Sequence, residues 1–217
     1  STSVFKIQSV FSHLAASDSV LHDDFTNSQA KSFLKSCEEI QQITGYQFIR
    51  HIANTSAIHR HKNLQFDMIR LGIGMYGVDS DPSIQDQLKN VTTLKTTISQ
   101  IKKIKAGESI GYSRKGVAAR DSVIATVRIG YADGYPRLLS NGIGKMLING
   151  NEVPVIGSVC MDMTMLDITG IDVQEGDDVI VFGAGLPVSE LAKLSQSIPY
   201  EILTGISQRV KRVYFEE

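Results

Sequence analysis

Arg70 is the residue whose chemistry is hardest to satisfy in this chain. It stands inside an apolar run, FDMIRLGIGMYG at residues 66–77, which also carries Gly72, Gly74 and Gly77. A guanidinium stays protonated at ordinary pH, so it needs a planar or anionic partner where such a strand ends. The glycines would let backbone N–H groups approach that partner closely. On this run alone, a buried strand whose Arg pairs with a carboxylate is an equally good interpretation.

Two further segments carry groups that could do chemistry. HIANTSA, at 51–57, ends in hydroxyls and amides at Asn54, Thr55 and Ser56 that could face an anion, although a solvated turn is the simpler interpretation. GESIGYSRKG, at 107–116, places Tyr112 between glycines and close to two cations. A phenol acts as a base at neutral pH only where positive charge stabilises the phenolate. An ordinary loop tyrosine with a packed ring is the alternative.

Two segments of the second half are suggestive without being diagnostic. IGYADGYPR, at 129–137, surrounds an Ala-Asp-Gly turn with Tyr131, Tyr135 and Arg137, which could rim a polar entrance or cap a hairpin. GSVCMDMTMLDI, at 157–168, reads as a strand in which Asp162 lies between methionines. A carboxylate in an apolar strand is costly unless it is paired or hydrogen-bonded.

Histidines do not indicate a metal site. His51, His59 and His61 include one His-x-His pair, but no cysteine or acidic cluster accompanies them. We therefore expect a polar turn and no metal.

Composition excludes several classes of partner. The chain has 217 residues, 42% of them hydrophobic and 21% charged, with 22 basic against 23 acidic side chains. It is long enough for one large or two smaller domains, and it has no basic stripe for nucleic acid. No apolar stretch approaches the ~20 residues of a membrane span. Two cysteines, Cys37 and Cys160, are typical of a reducing cytoplasm.

The first half has the rhythm of parallel β/α units. Apolar residues at helical spacing predict a helix over 28–44, with Asn27 or Ser28 as N-cap and Gly45 as its end. A strand-like run before it and the runs YQFIRHIAN, at 46–54, and FDMIRLGIGMYG, at 66–77, complete the pattern. Three strands cannot close a barrel, so isolated parallel strands would expose their edges. The chain also lacks an initiator Met, and its first strand leads directly into His13, which is typical of the middle of a longer protein.

From about residue 90 the pattern becomes mainly β. Asn149-Gly150 predicts a type I′ hairpin, residues 123–129 alternate like a strand, and the Thr and Ile content of 91–104 favours a strand over a helix. A helix is predicted over 189–196 with Ser189 as its cap. The final segment RVKRVYF, at 209–215, alternates like a closing strand.

Taken in order, these segments resemble the fold-type III, pyridoxal-phosphate-dependent alanine racemases. The matching segments are FSHLAASD, HIANTSA, FDMIRLGIGMYG, GESIGYS, IGYADGYPR, GSVCMDM, IPYE and ISQRVKR. Each is weak alone, but the collinear set is specific and covers nearly the whole chain.

The resemblance implies a fold in two parts. The family has an N-terminal (β/α)8 TIM barrel followed by a mainly β C-terminal domain. This chain resembles the last three β/α units of the barrel, at 1–89, plus the complete β domain, at 90–217. The family holds its cofactor through a lysine in a motif close to A-x-K-A-N-A-Y-G-H-G. No Lys of this sequence stands in such a context.

The resemblance also implies roles for residues that hold pyridoxal 5′-phosphate. Arg70 matches the arginine that faces the pyridine nitrogen, and His13 matches a histidine that packs against the ring and orients that arginine. The matching phosphate-binding positions are Asn54, Thr55, Gly72, Ile73 and Tyr200.

The substrate side follows by the same resemblance. Tyr112 matches one of two catalytic bases, the absent lysine being the other, since racemisation needs a proton removed from one face and returned to the other. Met161 and Asp162 match residues beside the substrate, and all three serve the partner subunit, which implies a head-to-tail homodimer. Asp18, Tyr131 and Arg137 match residues of the substrate entrance.

Departures from the family pattern are few. Thr55 replaces a usual serine and keeps the hydroxyl, whereas Ser158 replaces an entrance position that is often arginine. Gln208 and Lys211 replace a more usual Tyr and Pro.

Two classes of function follow. The first is part of a cytoplasmic enzyme that interconverts L- and D-alanine for peptidoglycan, either alone or fused to a cell-wall ligase, with a serine or broad-specificity racemase as a close variant. The second is a non-catalytic, racemase-like module for dimerisation or binding. Without the lysine, we expect the 217-residue chain itself to be inactive.

Overall fold

The computed structural model describes residues 5–215 and divides the chain into two compact units, Ser1–Lys89 and Asn90–Glu217. Within the described residues, no helix is both long enough and apolar enough to cross a bilayer.

Over residues 5–89, the first unit contains two parallel strands and three helices. Its elements are β1 (Ser9–Phe11), α1 (Asp23–Thr44), β2 (Ile49–His51), α2 (Thr55–Arg60) and α3 (Pro82–Gln85), with 3-10 turns at Val20–His22, Lys62–Leu64 and Ile73–Tyr76. β1 and β2 pair in parallel, with Ser9 opposite Ile49 and Phe11 opposite His51. Because parallel strands share a direction, their carboxyl ends lie at one edge.

Helix α1 covers this small sheet and is longer than its sequence pattern indicates. It begins at Asp23 with His22 as N-cap, so the predicted caps Asn27 and Ser28 are wrong. The 3-10 turn Val20–His22 leads directly into α1. The helix therefore begins before the first residue of the apolar pattern. The predicted end is confirmed: Gly45 has φ 75°, and its N–H donates to the Gln41 carbonyl at 2.8 Å.

An apolar core holds α1 against the strands. Its buried members are Leu14, Ala30, Phe33, Cys37, Ile52, Ala53, Ala57 and Leu64. Ile52, Ala53 and Ala57 are entirely inaccessible to solvent. The turn after β2 is therefore fixed by packing.

The 66–77 run is not a regular strand, contrary to the sequence prediction. Its backbone meets the β2 segment at two points, where Asp67 N–H donates to Arg50 O at 3.2 Å and Arg70 N–H donates to Ala53 O at 3.0 Å. It then turns into the 3-10 helix Ile73–Tyr76. The side chains of Met68, Ile69 and Leu71 are all exposed. Two isolated backbone bonds do not make the regular ladder of hydrogen bonds that defines a strand.

The second unit is built on an antiparallel sheet of order β8-β7-β10-β3-β6-β9. Its strands are β3 (Leu94–Ile104), β4 (Ser109–Ile110), β5 (Gly116–Val117), β6 (Ser122–Val127), β7 (Lys145–Ile148), β8 (Asn151–Pro154), β9 (Thr164–Asp167) and β10 (Asp178–Phe182). Two helices, α4 (Val188–Leu194) and α5 (Pro199–Gly205), follow. β4 and β5 form a separate hairpin.

Strand β3 joins two halves of the sheet. Its first residues pair with β10 and its later ones with β6, and the pairing shifts between Ile98 and Gln100. The strand prediction for this segment is confirmed. The Asn149-Gly150 hairpin is also confirmed, since both residues have positive φ, 49° and 77°, as a type I′ turn requires.

The end of the chain differs most from its pattern. The predicted cap Ser189 is wrong, because α4 starts at Val188 with Pro187 as N-cap. Helix α5 gave no distinct signal. Residues 209–215 form no strand: Val213, Tyr214 and Phe215 are exposed, and no described strand pairs with them. Alternation alone does not make a strand where a partner is lacking.

Candidate active site

Arg70 lies at the carboxyl ends of β1 and β2 and is held by backbone carbonyls. Its Nη2 donates to Ser12 O at 2.5 Å and to Ile52 O at 3.2 Å. It forms no ion pair with any carboxylate of residues 5–215, so the interpretation as an Arg–carboxylate pair is wrong. Its Nε is buried and has no hydrogen-bond partner among the described residues. A buried donor without an acceptor is costly, and a ligand could supply that acceptor.

Rings surround the same guanidinium. The Nδ1 atom of His13 lies 3.4 Å from Arg70 Nη2, and the Arg70 guanidinium carbon lies 5.2 Å from the centre of the Phe11 ring. Phe11 in turn stacks on His51 with 5.3 Å between ring centres and 12° between planes. Burial, and secondarily the Arg70 charge, lowers the pKa of His51. These contacts fix the plane and position of the guanidinium.

Thr55 joins the start of α2 to the glycine segment. It is only 7% exposed, which contradicts the solvated-turn interpretation. Its Oγ1 accepts from Gly72 N–H at 3.0 Å and from Gly74 N–H at 3.4 Å. A Cβ on Gly74 would lie 3.0 Å from Thr55 Cγ2, so the glycine permits this approach. Two backbone donors and a hydroxyl therefore converge beside the buried Ile73.

Asn54 is used inside the protein. Its Oδ1 accepts from Ala57 N–H at 3.1 Å and from Ser17 Oγ at 2.8 Å, and its Nδ2 donates to Leu14 O at 3.3 Å. The side chain thus caps α2 and ties it to the loop after β1. Asp18 follows Ser17 in the sequence and is exposed.

Two other histidines of the first unit lie close to carboxylates. His59 Nε2 lies 3.2 Å from Asp79 Oδ1, and His61 Nε2 lies 3.5 Å from Asp23 Oδ1. Arg60 also binds Asp23, at 2.8 Å. Residues 5–215 contain no group of three His, Cys, Asp or Glu side chains able to hold a metal ion.

In the second unit, the β4–β5 hairpin presents Tyr112. The tyrosine begins a 3-10 turn at the tip and is 72% exposed, so its ring is not packed as the alternative interpretation required. Glycines allow the hairpin to press on residues 157–158: a Cβ on Gly116 would lie 2.6 Å from Gly157 Cα. Arg114, which also lies in the turn, donates from Nε to Ser109 Oγ at 3.1 Å.

Tyr131 and Met161 lie on two turns bonded to each other. Tyr131 N–H donates to Cys160 O and Ala132 N–H donates to Met161 O, both at 3.0 Å. A Cβ on Gly130 would lie 2.2 Å from Cys160 O, so only glycine fits there. Asp162 is exposed in the bend before β9 and not in a strand, which corrects the sequence prediction.

Other predicted site residues of this unit have varied surroundings. Arg137 is exposed in a 3-10 turn, and Tyr200 is half exposed in the first turn of α5. Tyr135 is fully buried, so it cannot rim an entrance. Its hydroxyl has no hydrogen-bond partner among the described residues. Burial strongly raises the pKa of Tyr135.

One functional candidate escaped the sequence analysis. Arg209 binds Asp133 through Nε at 2.7 Å and Asp162 through Nη2 at 2.6 Å. Both carboxylates raise the pKa of Arg209, which stays fully charged. The two acidic residues were visible in the sequence, but their common partner lies 76 and 47 residues away.

The chain matches family models over nearly its whole length. Residues 91–214 match the model described as "Alanine racemase, C-terminal domain", and residues 2–80 match "Alanine racemase, N-terminal domain". Alanine racemase 1 of Clostridium acetobutylicum is 39% identical over 97% of this chain and 56% of its own length. The chain thus spans about half the length of the curated relatives it matches.

Solved structures agree with this relationship. The alanine racemase of Streptomyces coelicolor A3(2) superposes with a TM-score of 0.90 at 31% identity, covering 98% of this chain and 57% of that one. The Bartonella henselae alanine racemase "with covalently bound pyridoxal phosphate" gives 0.83 at 33% identity, covering 97% and 57%. The expected fold class, barrel units followed by a mainly β domain, is confirmed. With both family models matched in order and this fold, the chain belongs to the alanine racemase family.

Proposed function

We propose that this chain is part of an alanine racemase that interconverts L- and D-alanine with pyridoxal 5′-phosphate. The observation that carries the proposal is Arg70: a guanidinium fixed by two carbonyls and a histidine, without a carboxylate, and with a buried Nε that lacks an acceptor. A pyridine nitrogen is a planar acceptor of the required kind. Residues 1–89 then belong to the cofactor-binding barrel and 90–217 to the β domain.

The residues present fit this cofactor at two points. Arg70 would donate to the ring nitrogen, and since an arginine does not give up its proton, that nitrogen would remain an acceptor. Thr55 Oγ1 accepts from the Gly72 and Gly74 amides and keeps its own hydroxyl proton, which it would donate to a phosphate. Gly72, Ile73 and Tyr200 are the other phosphate-binding residues that the resemblance implies. Asn54 would support this set by capping α2.

Pyridoxal phosphate, when bound, makes the Cα–H of an attached amino acid acidic. Tyr112 then moves the proton at Cα on one face of the substrate, and a lysine outside these 217 residues serves the other face. Met161 and Asp162 lie beside the substrate, while Asp18, Tyr131 and Arg137 line its entrance. His13 orients Arg70 through the 3.4 Å contact.

We place Tyr112, Met161 and Asp162 in the site of a partner subunit, which makes the active enzyme a head-to-tail homodimer. Their exposure supports this arrangement: Tyr112 is 72% and Met161 54% exposed. A tyrosine on a hairpin tip braced by glycines can reach outward without losing its position. The enzyme would work in the cytoplasm, where it supplies D-alanine for peptidoglycan.

A comparison of two proteins tests the proposal. The complete protein that carries this segment should show the visible absorbance of covalently bound pyridoxal phosphate and should convert L-alanine to D-alanine. The 217-residue chain should do neither, because it lacks the cofactor lysine. L-serine is assayed beside L-alanine to separate a broad-specificity racemase.

Two results would contradict the proposal. A complete protein that binds neither cofactor nor alanine would favour a non-catalytic, racemase-like module. Robust turnover by the 217-residue chain alone would show that the lysine is not needed.

A further inference from the structure

We propose that Arg209 is a positioning residue for the proposed reaction, joining Asp133 of the entrance turn to Asp162 and cancelling the Asp162 charge where the substrate carboxylate approaches. The inference rests on the proposed function for its substrate. Its structural part is the arginine clamp, by which we mean Arg209 bound to both Asp133 and Asp162. The clamp is observed in this chain and does not depend on the proposed function.

Three segments meet at Arg209. Its Nε binds Asp133 Oδ1 at 2.7 Å, and its Nη2 binds Asp162 Oδ1 at 2.6 Å. The other carboxylate oxygen of Asp133, Oδ2, accepts from Gly130 N–H at 2.9 Å, so Asp133 is held at both oxygens. The Asp133 carbonyl accepts from Ser207 N–H at 3.1 Å, which brings the C-terminal segment to the same turn.

The two turns that Arg209 joins are those that carry the proposed substrate residues. Tyr131 and Met161 are linked by the backbone bonds described above, at 3.0 Å each. The two turns are packed so closely that no side chain fits at Gly130. The entrance turn also packs against the end of α5, since a Cβ on Gly134 would lie 2.6 Å from Gly205 O. Within the described part of the chain, the Asp162 backbone makes no such bond, and its carboxylate is held by Arg209.

Charge gives the clamp a second consequence. The Asp133 side chain is 13% exposed, whereas Asp162 is 56% and Arg209 47% exposed. The pair at Asp162 therefore faces solvent and any molecule that arrives there. In the proposed reaction the cofactor would take up the amino group of alanine, which leaves the carboxylate as its free charge, and an unpaired Asp162 would repel that carboxylate. Two acidic groups share one cation, so loss of Arg209 would leave two negative charges unbalanced.

Arg212 provides a matched control. It lies three residues further on and, among residues 5–215, donates only to backbone carbonyls of its own segment, those of Ser207, Val210 and Ile206, at 3.0 to 3.3 Å. Its removal takes away a positive charge and hydrogen bonds without freeing a carboxylate.

The test uses steady-state kinetics of the complete enzyme at low and high salt. Arg209→Gln should raise KM for alanine about three- to tenfold with a smaller fall in kcat, and salt should reduce the KM defect because it screens the repulsion. Arg209→Lys should recover part of the loss, and Arg212→Gln should behave like wild type. Adding Asp162→Asn to Arg209→Gln should bring KM back to the value of Asp162→Asn alone.

That rescue separates positioning by charge from a merely structural role, since a second lost contact would worsen a structural defect. A salt-independent KM defect, absence of rescue, or an equal effect of Arg212→Gln would overturn the proposal.

A second readout needs no activity. In the 217-residue chain, exchange of the Tyr131 and Ala132 amide hydrogens should accelerate in Arg209→Gln and not in Arg212→Gln. Unchanged exchange would overturn the clamp. If wild-type enzyme does not racemise alanine, the proposed function fails with the charge effect, while this exchange experiment still decides the clamp.

Discussion

At the scale of single residues, two side chains of the proposed cofactor site each make two hydrogen bonds to the backbone. The Thr55 hydroxyl accepts from two glycine amides, and the Arg70 side chain takes its acceptors from the ends of two strands. In each case one side chain fixes the backbone at two points. Substitutions that keep the functional group should therefore be mild, and those that delete it should affect both stability and ligand binding.

Thr55 offers a clean comparison of this kind. Thr55→Val keeps the shape but removes the acceptor of the Gly72 and Gly74 amides, which should lower the free energy of unfolding by about 1–2 kcal/mol. Thr55→Ser keeps the oxygen and should lose less. Urea denaturation of the chain measures this, and in the complete protein the same pair should differ in retention of pyridoxal phosphate. Equal behaviour of the two variants would remove Thr55 from the phosphate site.

Tyr112→Phe tests the proposed base. Because the ring is largely exposed on a hairpin tip, loss of the hydroxyl should leave folding unchanged. Racemisation by the complete protein should fall by about 100-fold or more, the range typical of a positioned acid–base group, while the cofactor absorbance stays as in wild type. Parallel loss of cofactor and activity would count against the assignment.

At the scale of elements, glycines set several of the turns. Gly45 and Gly150 are examples that local sequence already indicates, because a helix end and an Asn-Gly hairpin each need a positive φ. Gly130 is different, since its requirement comes from the carbonyl of a residue 30 positions away. The need for glycine at position 130 therefore depends on a tertiary contact between the two turns and cannot be recognised from the local sequence.

Gly130→Ala should destabilise the second unit. The added Cβ would lie 2.2 Å from Cys160 O, and relieving that overlap requires separating the two turns, at about 1–3 kcal/mol. Gly205→Ala is the control, because nothing lies within 4 Å of its Cβ position. Thermal unfolding of the two variants gives the comparison. A Gly130→Ala protein as stable as the control would mean that the turns move apart freely.

Local signals explain which elements the sequence could predict. The hairpin, the end of α1 and strand β3 depend on turn chemistry and residue propensity, which a short window contains. The start of α1, the irregular 66–77 segment and the absent strand at 209–215 depend on neighbours distant in sequence or lacking. The same division holds in the site: Arg70 stood out as a charge in an apolar run, whereas Arg209 looked like any surface cation until Asp133 and Asp162 met it.

At the scale of the whole molecule, buried ionisable groups couple stability to pH. Burial lowers the pKa of His51 and of His61, with Asp23 opposing that shift at His61 and Arg60 and His59 adding to it. The unfolded chain therefore binds these protons more readily than the folded chain. Stability contributed by the neutral histidines is present above the unfolded value, near pKa ~6.5, and is lost as pH falls below it.

We therefore expect the free energy of unfolding to fall when pH is lowered from 7.5 to 5.5, with α1 and α2 opening first. Amide hydrogen exchange of α1 at the two pH values measures it. His61→Gln should reduce the pH dependence, whereas His22→Gln, at an exposed position, should not. A His61→Gln chain with the full wild-type pH dependence would assign the effect elsewhere.

The shared strand β3 also orders the assembly of the second unit in time. Its pairing with β6 joins residues about 20 to 30 positions apart, whereas its pairing with β10 joins residues about 80 apart. The shorter loop closes at lower entropic cost, so β3, β6 and β9 should pair first. β10 and the β7–β8 hairpin should then add to the free edge of β3. Pulse-labelled hydrogen exchange during refolding should accordingly find β6 protected while β10 is still open.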